Sequence, residues 1–320
     1  MHRPYLKWAN QELISKGFHV IDPNPETIQK NPWAEVSRFR TNQGFIILKT
    51  TPGALFLETK IIDLLDKNFD ASVPQIIAKN TEQNCFLMRD AGMRLFDYFK
   101  NHFQSDILIK IVKTYSILQI KTQNKINLFL DLGVPDWGLE KLPMLYQNLI
   151  MQEKLLLDDG LSKEELFTLK QLKSKLIDIC GKLSQYKIIN AFGNADFHDK
   201  NILIHPDSLK YTFIDLGEVV ITHPFFSFHN CLYRSKLNFS LSDSQYQQII
   251  YSCLDPWRAL ETQEHLSEIL ALIETCWPIH AVLGEWRLMN SVNHEEYIKL
   301  NRKGRFATRL QDWIKKLKGE

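Results

Sequence analysis

Asn194-Ala195-Asp196-Phe197-His198-Asp199-Lys200-Asn201, with Ile214-Asp215-Leu216-Gly217 placing an aspartate 14 positions after its asparagine, is the stretch on which the reading of this chain turns. Apolar runs flank it: Ile188 to Phe192 before, Ile202-Leu203-Ile204 after, and Tyr211 to Ile214 leading into the second aspartate, with a turn at Pro206-Asp207-Ser208. The spacing D-x-x-x-x-N says little by itself, because Asp and Asn are common turn residues. The order strand, loop, strand, turn, strand, Asp-x-Gly says more. It supplies what phosphoryl transfer needs, an acceptor for the attacking hydroxyl's proton and oxygen ligands that hold Mg²⁺ against phosphates. Asp196 is the candidate base, and Asn201 and Asp215 are the candidate metal ligands, with one hairpin expected to present all three. Gly217 is read as the residue that lets the backbone turn away so that the Asp215 carboxylate faces a cleft.

Working outward, a short helix is expected to end at Gly17, after which Pro23 and Pro25 enforce an extended connection. From Trp33 to Arg89 the pattern is that of a small α+β unit. Phe45-Ile46-Ile47-Leu48, Gln75 to Ala78 and Cys85 to Met88 read as strands, and Leu57, Ile61, Leu64 and Leu65 recur at helical spacing between Gly53 and Phe69. After Ala91-Gly92 long amphipathic stretches dominate, near Asp106 to Thr122, Leu139 to Leu157 and Ser162 to Tyr186. The division expected is a lobe at 1–90 and a larger, mostly helical lobe at 91–320 that carries the hairpin.

The 320 residues are 44% hydrophobic and 24% charged, as in ordinary globular proteins. With 39 basic against 37 acidic side chains there is no field to attract nucleic acid. Cys85, Cys180, Cys231, Cys253 and Cys276 are scattered and form no C-x-x-C pair, so they read as reduced core residues. The N-terminal stretch intersperses charges among its apolar residues, unlike a secretory leader, and no run of about 20 apolar residues would span a bilayer. The expected location is the cytoplasm, without integral membrane association.

Asp196 to Asn201 with Ile214-Asp215-Leu216-Gly217-Glu218 resembles the catalytic and metal loops of the aminoglycoside phosphotransferase and choline-kinase-like family, and Thr222 to Ser227 is similar to the stretch that follows them in a bacterial branch. Asn31 to Phe39 and Phe45-Ile46-Ile47-Leu48-Lys49 resemble that branch's first hairpin and its nucleotide-anchoring lysine. The resemblance covers approximately Trp33 to Arg234. It implies a two-lobed, protein-kinase-like α+β fold and an ATP- and Mg²⁺-dependent phosphotransferase, with GTP as a possible substitute, acting on a small-molecule hydroxyl. Lys49 would neutralise the nucleotide phosphates, oriented by Glu58, and Ser37 would touch a phosphate. Two departures stand out. Asn194 occupies the place of the family's usual His, and the turn around Trp33 to Phe39 contains no glycine. They motivate the alternative of a regulatory nucleotide-binding pseudokinase. A protein kinase is disfavoured, because no A-P-E segment follows Asp215.

Some candidates have bland readings of equal weight. The backbone around Met88 to Asp90 falls where such lobes join and could meet an adenine edge. His198, His205, His223 and His229 match no zinc spacing. Asp131, Asp136 and Glu140 around Trp137 would suit an anionic pocket for a cationic acceptor, or simply flank helices. The basic tail from Asn301 reads as an amphipathic helix docked on the larger lobe with its charges in water, in preference to a membrane-surface helix.

Overall fold

In the computed structural model, which describes residues 3–319, the first third of the chain forms an antiparallel sheet. Its strands are β1 (Glu26–Asn31), β2 (Ala34–Thr41), β3 (Gly44–Thr50), β4 (Ile76–Asn80) and β5 (Cys85–Arg89), in the order β1-β2-β3-β5-β4. Side-chain alternation gives the sheet two covered faces. Ile46, Leu48 and Leu87 meet Ala9 and Leu13 of helix α1 (Pro4–Ser15), while Ile47, Phe86 and Met88 join Ile61, Ile62 and Leu65 of helix α2 (Glu58–Phe69) in the main core. Lys49 shares the parity of Ile47 and therefore lies on the α2 side of β3. The sheet begins earlier than the expected Trp33: β1 is an edge strand with no buried position, so Glu26–Asn31 carries no apolar alternation to betray it.

The remainder is mostly helical. After β6 (Met93–Arg94) come α3 (Leu95–Phe99), α4 (Ser105–Thr122) and α5 (Asn127–Leu130). Each of the next two expected helical stretches divides, into α6 (Leu142–Ile150) with α7 (Glu153–Asp159), and α8 (Lys163–Gln171) with α9 (Lys173–Leu183). Ser162 caps α8 through a reciprocal hydrogen-bond pair with Glu165.

Four short strands follow: β7 (Ala191–Asn194), β8 (Ile202–Ile204), β9 (Tyr211–Phe213) and β10 (Val219–Thr222). The single hairpin expected from the sequence is two small sheets, because β8 pairs with β9 and β6 while β7 pairs with β10. The chain ends in α10 (Phe225–Asn238), α11 (Asp243–Cys253), α12 (Gln263–Asn290), α13 (His294–Ile298) and α14 (Arg305–Lys318).

Helix α14 docks as the sequence suggested, burying Phe306, Ala307, Leu310 and Trp313 chiefly against α12. By length and composition α12 alone among the described helices could cross a membrane, but half of its most apolar window is buried inside the fold. All five cysteines are buried and unpaired.

Candidate active site

The site is built where β7 and β9 run out. Asn194, at the end of β7, binds both loops: its Oδ1 accepts from the Asp196 amide at 2.9 Å and its Nδ2 donates to the Asp215 carbonyl at 3.0 Å. Its own amide donates to the Tyr115 hydroxyl at 3.0 Å and Ser227 Oγ at 3.1 Å. An amide in this place thus ties the two loops together. Phe197, within the first loop, stacks on Tyr115 with ring centroids 3.7 Å apart.

Asp196 and Asn201 are held together. Asn201 Nδ2 donates to the Asp196 carbonyl at 2.9 Å and to Asp196 Oδ2 at 3.1 Å. This fixes the amide's orientation and leaves its Oδ1 as an acceptor that no donor among the described residues reaches. His198 Nε2 also lies 3.1 Å from Asp196 Oδ2, and Arg234 Nη2 lies 3.7 Å from Oδ1. Burial opposes ionisation of Asp196, but the hydrogen bond and charge of His198, with Arg234 and Asn201, outweigh it and lower its pKa. It is an anion at neutral pH.

The second cluster joins the lobes. Lys49 Nζ lies 2.8 Å from Glu58 Oε2 and 2.8 Å from Asp215 Oδ1. Glu58 also accepts from the Leu216 amide at 3.1 Å, tying α2 to the loop after β9. Burial alone lowers the lysine's pKa, yet the Asp215 and Glu58 carboxylates raise it overall. The backbone turn expected at Gly217 is made in part by Asp215 itself, in the left-handed region at φ 58°, a conformation that Asp tolerates better than most residues. Gly217 permits close approach: a Cβ there would stand 3.3 Å from the Leu55 carbonyl. Arg287 of α12 braces the same loop by donating to the Gly217 and Val219 carbonyls, each at 2.9 Å.

Asp196, Asn201, Asp215 and Glu58 thus line one cleft of about 810 Å³, with Lys49 bonded to two of its carboxylates. Ser37 is set apart. It is buried on the face of β2 shared with Phe39, which packs toward α1, because alternation turns it away from Lys49. The glycine-free turn is closed by Asn31, whose Oδ1 accepts the amides of Trp33 and Ala34, each at 2.9 Å. The amides of Arg89 and Asp90 are already used on the Gln75 and Phe45 carbonyls.

Asp131, Asp136 and Glu140 do not line the cleft; Asp136 accepts from the Gly138 amide in a local turn. Nor does the basic side of the tail simply face water, since Arg302, Arg305 and Arg309 line the cleft. His229 stacks on Tyr233. Sequence reasoning also passed over Glu218. This cleft carboxyl has its pKa raised well above the usual range by burial and by repulsion from Asp196 and Asp215. Its place three residues after Asp215 was the available signal.

The Asn201 amide oxygen and the Asp215 carboxylate belong to residues lining one cleft, and oxygens of this kind are what a hard divalent cation takes. Among the described residues no group of three or more His, Cys, Asp or Glu side chains is arranged to hold a metal. A comparable hollow of about 860 Å³ between α10, α11 and α12 has Glu274 as its one charged lining residue, apart from the neutral His229.

No family model and no curated protein sequence matches the chain. Solved structures do. The chain is similar to APH(2")-IIia in its complex with GDP and kanamycin, with a TM-score of 0.62 and 12% identity over 98% of this chain and 99% of that one. It is similar to the ethanolamine kinase Pv091845 of Plasmodium vivax, with a TM-score of 0.61 and 15% identity over 91% of this chain and 82% of that one. It is also similar to the choline kinase LicA of Streptococcus pneumoniae, at 0.60 and 12% over 99% and 100%. The fold is that of the aminoglycoside phosphotransferases and choline kinases, a two-lobed arrangement of the protein-kinase-like kind.

Proposed function

We propose that this protein transfers the γ-phosphate of ATP to a hydroxyl of a small molecule, with residues 1–90 supplying the nucleotide side and residues 91–320 the catalytic loop and acceptor side, in the cytoplasm. The observation that carries the reading is Asn201, whose amide hydrogens are both committed to Asp196 so that its Oδ1 remains free beside a proton-accepting carboxylate. The similar structures that hold GDP and kanamycin, or that are choline and ethanolamine kinases, support the same class of reaction.

In this reading Asn201 and Asp215 hold Mg²⁺, which when bound supplies positive charge against the phosphates. Lys49, released from Asp215 by the incoming nucleotide, turns its ammonium to the phosphates while Glu58 keeps it oriented. Asp196, an anion at neutral pH, accepts the acceptor's hydroxyl proton as the oxygen forms its bond to the γ-phosphorus. The bond from that phosphorus to the β-phosphate oxygen breaks, and ADP leaves with the electron pair. His198 and Asn201 keep the carboxylate aimed. Most of the acceleration comes from positioning and charge neutralisation.

The test is a panel of small hydroxyl compounds incubated with γ-labelled ATP and Mg²⁺, with Asp196→Ala as the blank. Label moving to at least one compound in the wild type and to none in the variant, with nucleotide binding equal in both, supports the reading. Nucleotide binding without transfer to any compound favours the regulatory alternative.

A further inference from the structure

The acceptor side of the cleft is cationic. Arg234 of α10, Arg305 and Arg309 of α14, and Lys303 before it all line the cleft that holds Asp196. Little neutralises them. Glu285 is occupied by Arg302 through both oxygens and lies 3.6 Å from Arg305, while Arg234 finds only Asp196, at 3.7 Å. Among the described residues no carboxylate pairs with Arg309, whose guanidinium instead lies 4.9 Å over the Trp277 ring. Burial and then repulsion from Arg234 lower its pKa, against the opposing pull of Asp312 and Glu285.

These groups stand where an acceptor must sit. A hydroxyl that gives its proton to Asp196 places the rest of its molecule against Arg234, whereas the nucleotide phosphates have Lys49, Asn201 and Asp215. We infer that the physiological acceptor is an anion, a hydroxyl compound carrying a carboxylate or a phosphate that Arg234, Arg305 and Arg309 receive. An aminated acceptor, cationic at neutral pH, would be repelled by the same wall. Guanidinium forks suit carboxylate and phosphate oxygens, and Trp277 fixes the plane of one of them.

This inference rests on the phosphotransferase reading but is tested apart from it, by binding rather than turnover. Glucose, glucosamine, glucuronate and glucose 6-phosphate present one ring with different charges. Each is titrated into the full chain with Mg²⁺ and ADP, following tryptophan fluorescence. The two anions should bind at least about ten-fold more tightly than glucose, with glucosamine weakest. Arg309→Gln should remove most of that preference while leaving the Kd for Mg²⁺-ADP within about two-fold, and Arg305→Gln should do so to a smaller degree. Glucosamine binding as tightly as the anions, no preference at millimolar concentrations, or an Arg309→Gln effect confined to the nucleotide overturns the inference. A protein that prefers anions but never transfers label would fail as a phosphotransferase and keep its anion site.

Discussion

Two sides of one cleft are held in different ways. On the loop side, Asn194, Asp196, Asn201 and Asp215 fix one another by hydrogen bonds to side chains and backbone within a short stretch. On the helical side, Arg234 and Arg309 make no such network; they are mounted on α10 and α14, and α14 is seated by Phe306, Leu310 and Trp313. Reaction geometry and acceptor charge are thus set by separable means. Substitutions in the loops should change rate with little effect on stability, and substitutions in the helical scaffold should do the reverse.

The largest effect that sharpens this contrast is in the loops. Asp196→Asn keeps the size and most hydrogen bonds of the side chain but cannot take a proton, so turnover should fall by about 10²–10⁴-fold. The thermal midpoint should stay nearly unchanged. Trp313→Ala empties a fully buried site in the seat of α14, where its ring packs edge-on to Tyr146 at 5.0 Å. It should cost about 3–5 kcal/mol in denaturant unfolding, and it should raise the KM for the acceptor more than that for ATP.

A smaller effect concerns pH. His223, His229 and His280 are buried in and around α10 and α12, and burial holds their pKa values at about 3, 4 and 3. The unfolded chain takes up their protons first, near pH 6.5. The stability from keeping them neutral is therefore complete above that pH and is lost as pH falls from there toward about 4, by about 1.4 kcal/mol per pH unit for each imidazole. Unfolding titrations at pH 7 and pH 5 should show this slope, and His280→Gln, which removes the ring stacked 4.4 Å from Phe226, should remove one imidazole's share. The smallest effect is Tyr115→Phe. Asn194 retains Ser227 as an acceptor for its amide, so the loss should be about 0.5–1.5 kcal/mol. A larger loss, or a collapse of turnover with it, would break the claim that the loops are redundantly held.

The same contrast explains what the sequence revealed. The grouping of Asp196 with Asn201 could be expected from the sequence because a short loop fixes their relation locally, whereas the Lys49–Glu58 contact was expected only from the family resemblance. The pairing of β7 with β10 instead of with the β8–β9 ladder was not legible, since four-residue strands with apolar side chains fit either partner. Strand parity in β2 decides against Ser37, but only once the register with β3 is known. The cationic wall could not be read at all. Arg234 and Arg309 come from distant helices and meet only through helix packing, while Asp136, one of the acidic residues near Trp137 that suggested a pocket, is used in a local turn.

The central claim is that Asn201 and Asp215 present oxygens to one divalent ion beside the nucleotide. Mn²⁺ binding followed by electron paramagnetic resonance, with and without ADP, tests it directly. The account predicts one nucleotide-dependent Mn²⁺ in the wild type and its loss in Asp215→Asn and in Asn201→Ala, with both variants folded. Nucleotide-dependent binding that survives both substitutions, or none in the wild type, would contradict it.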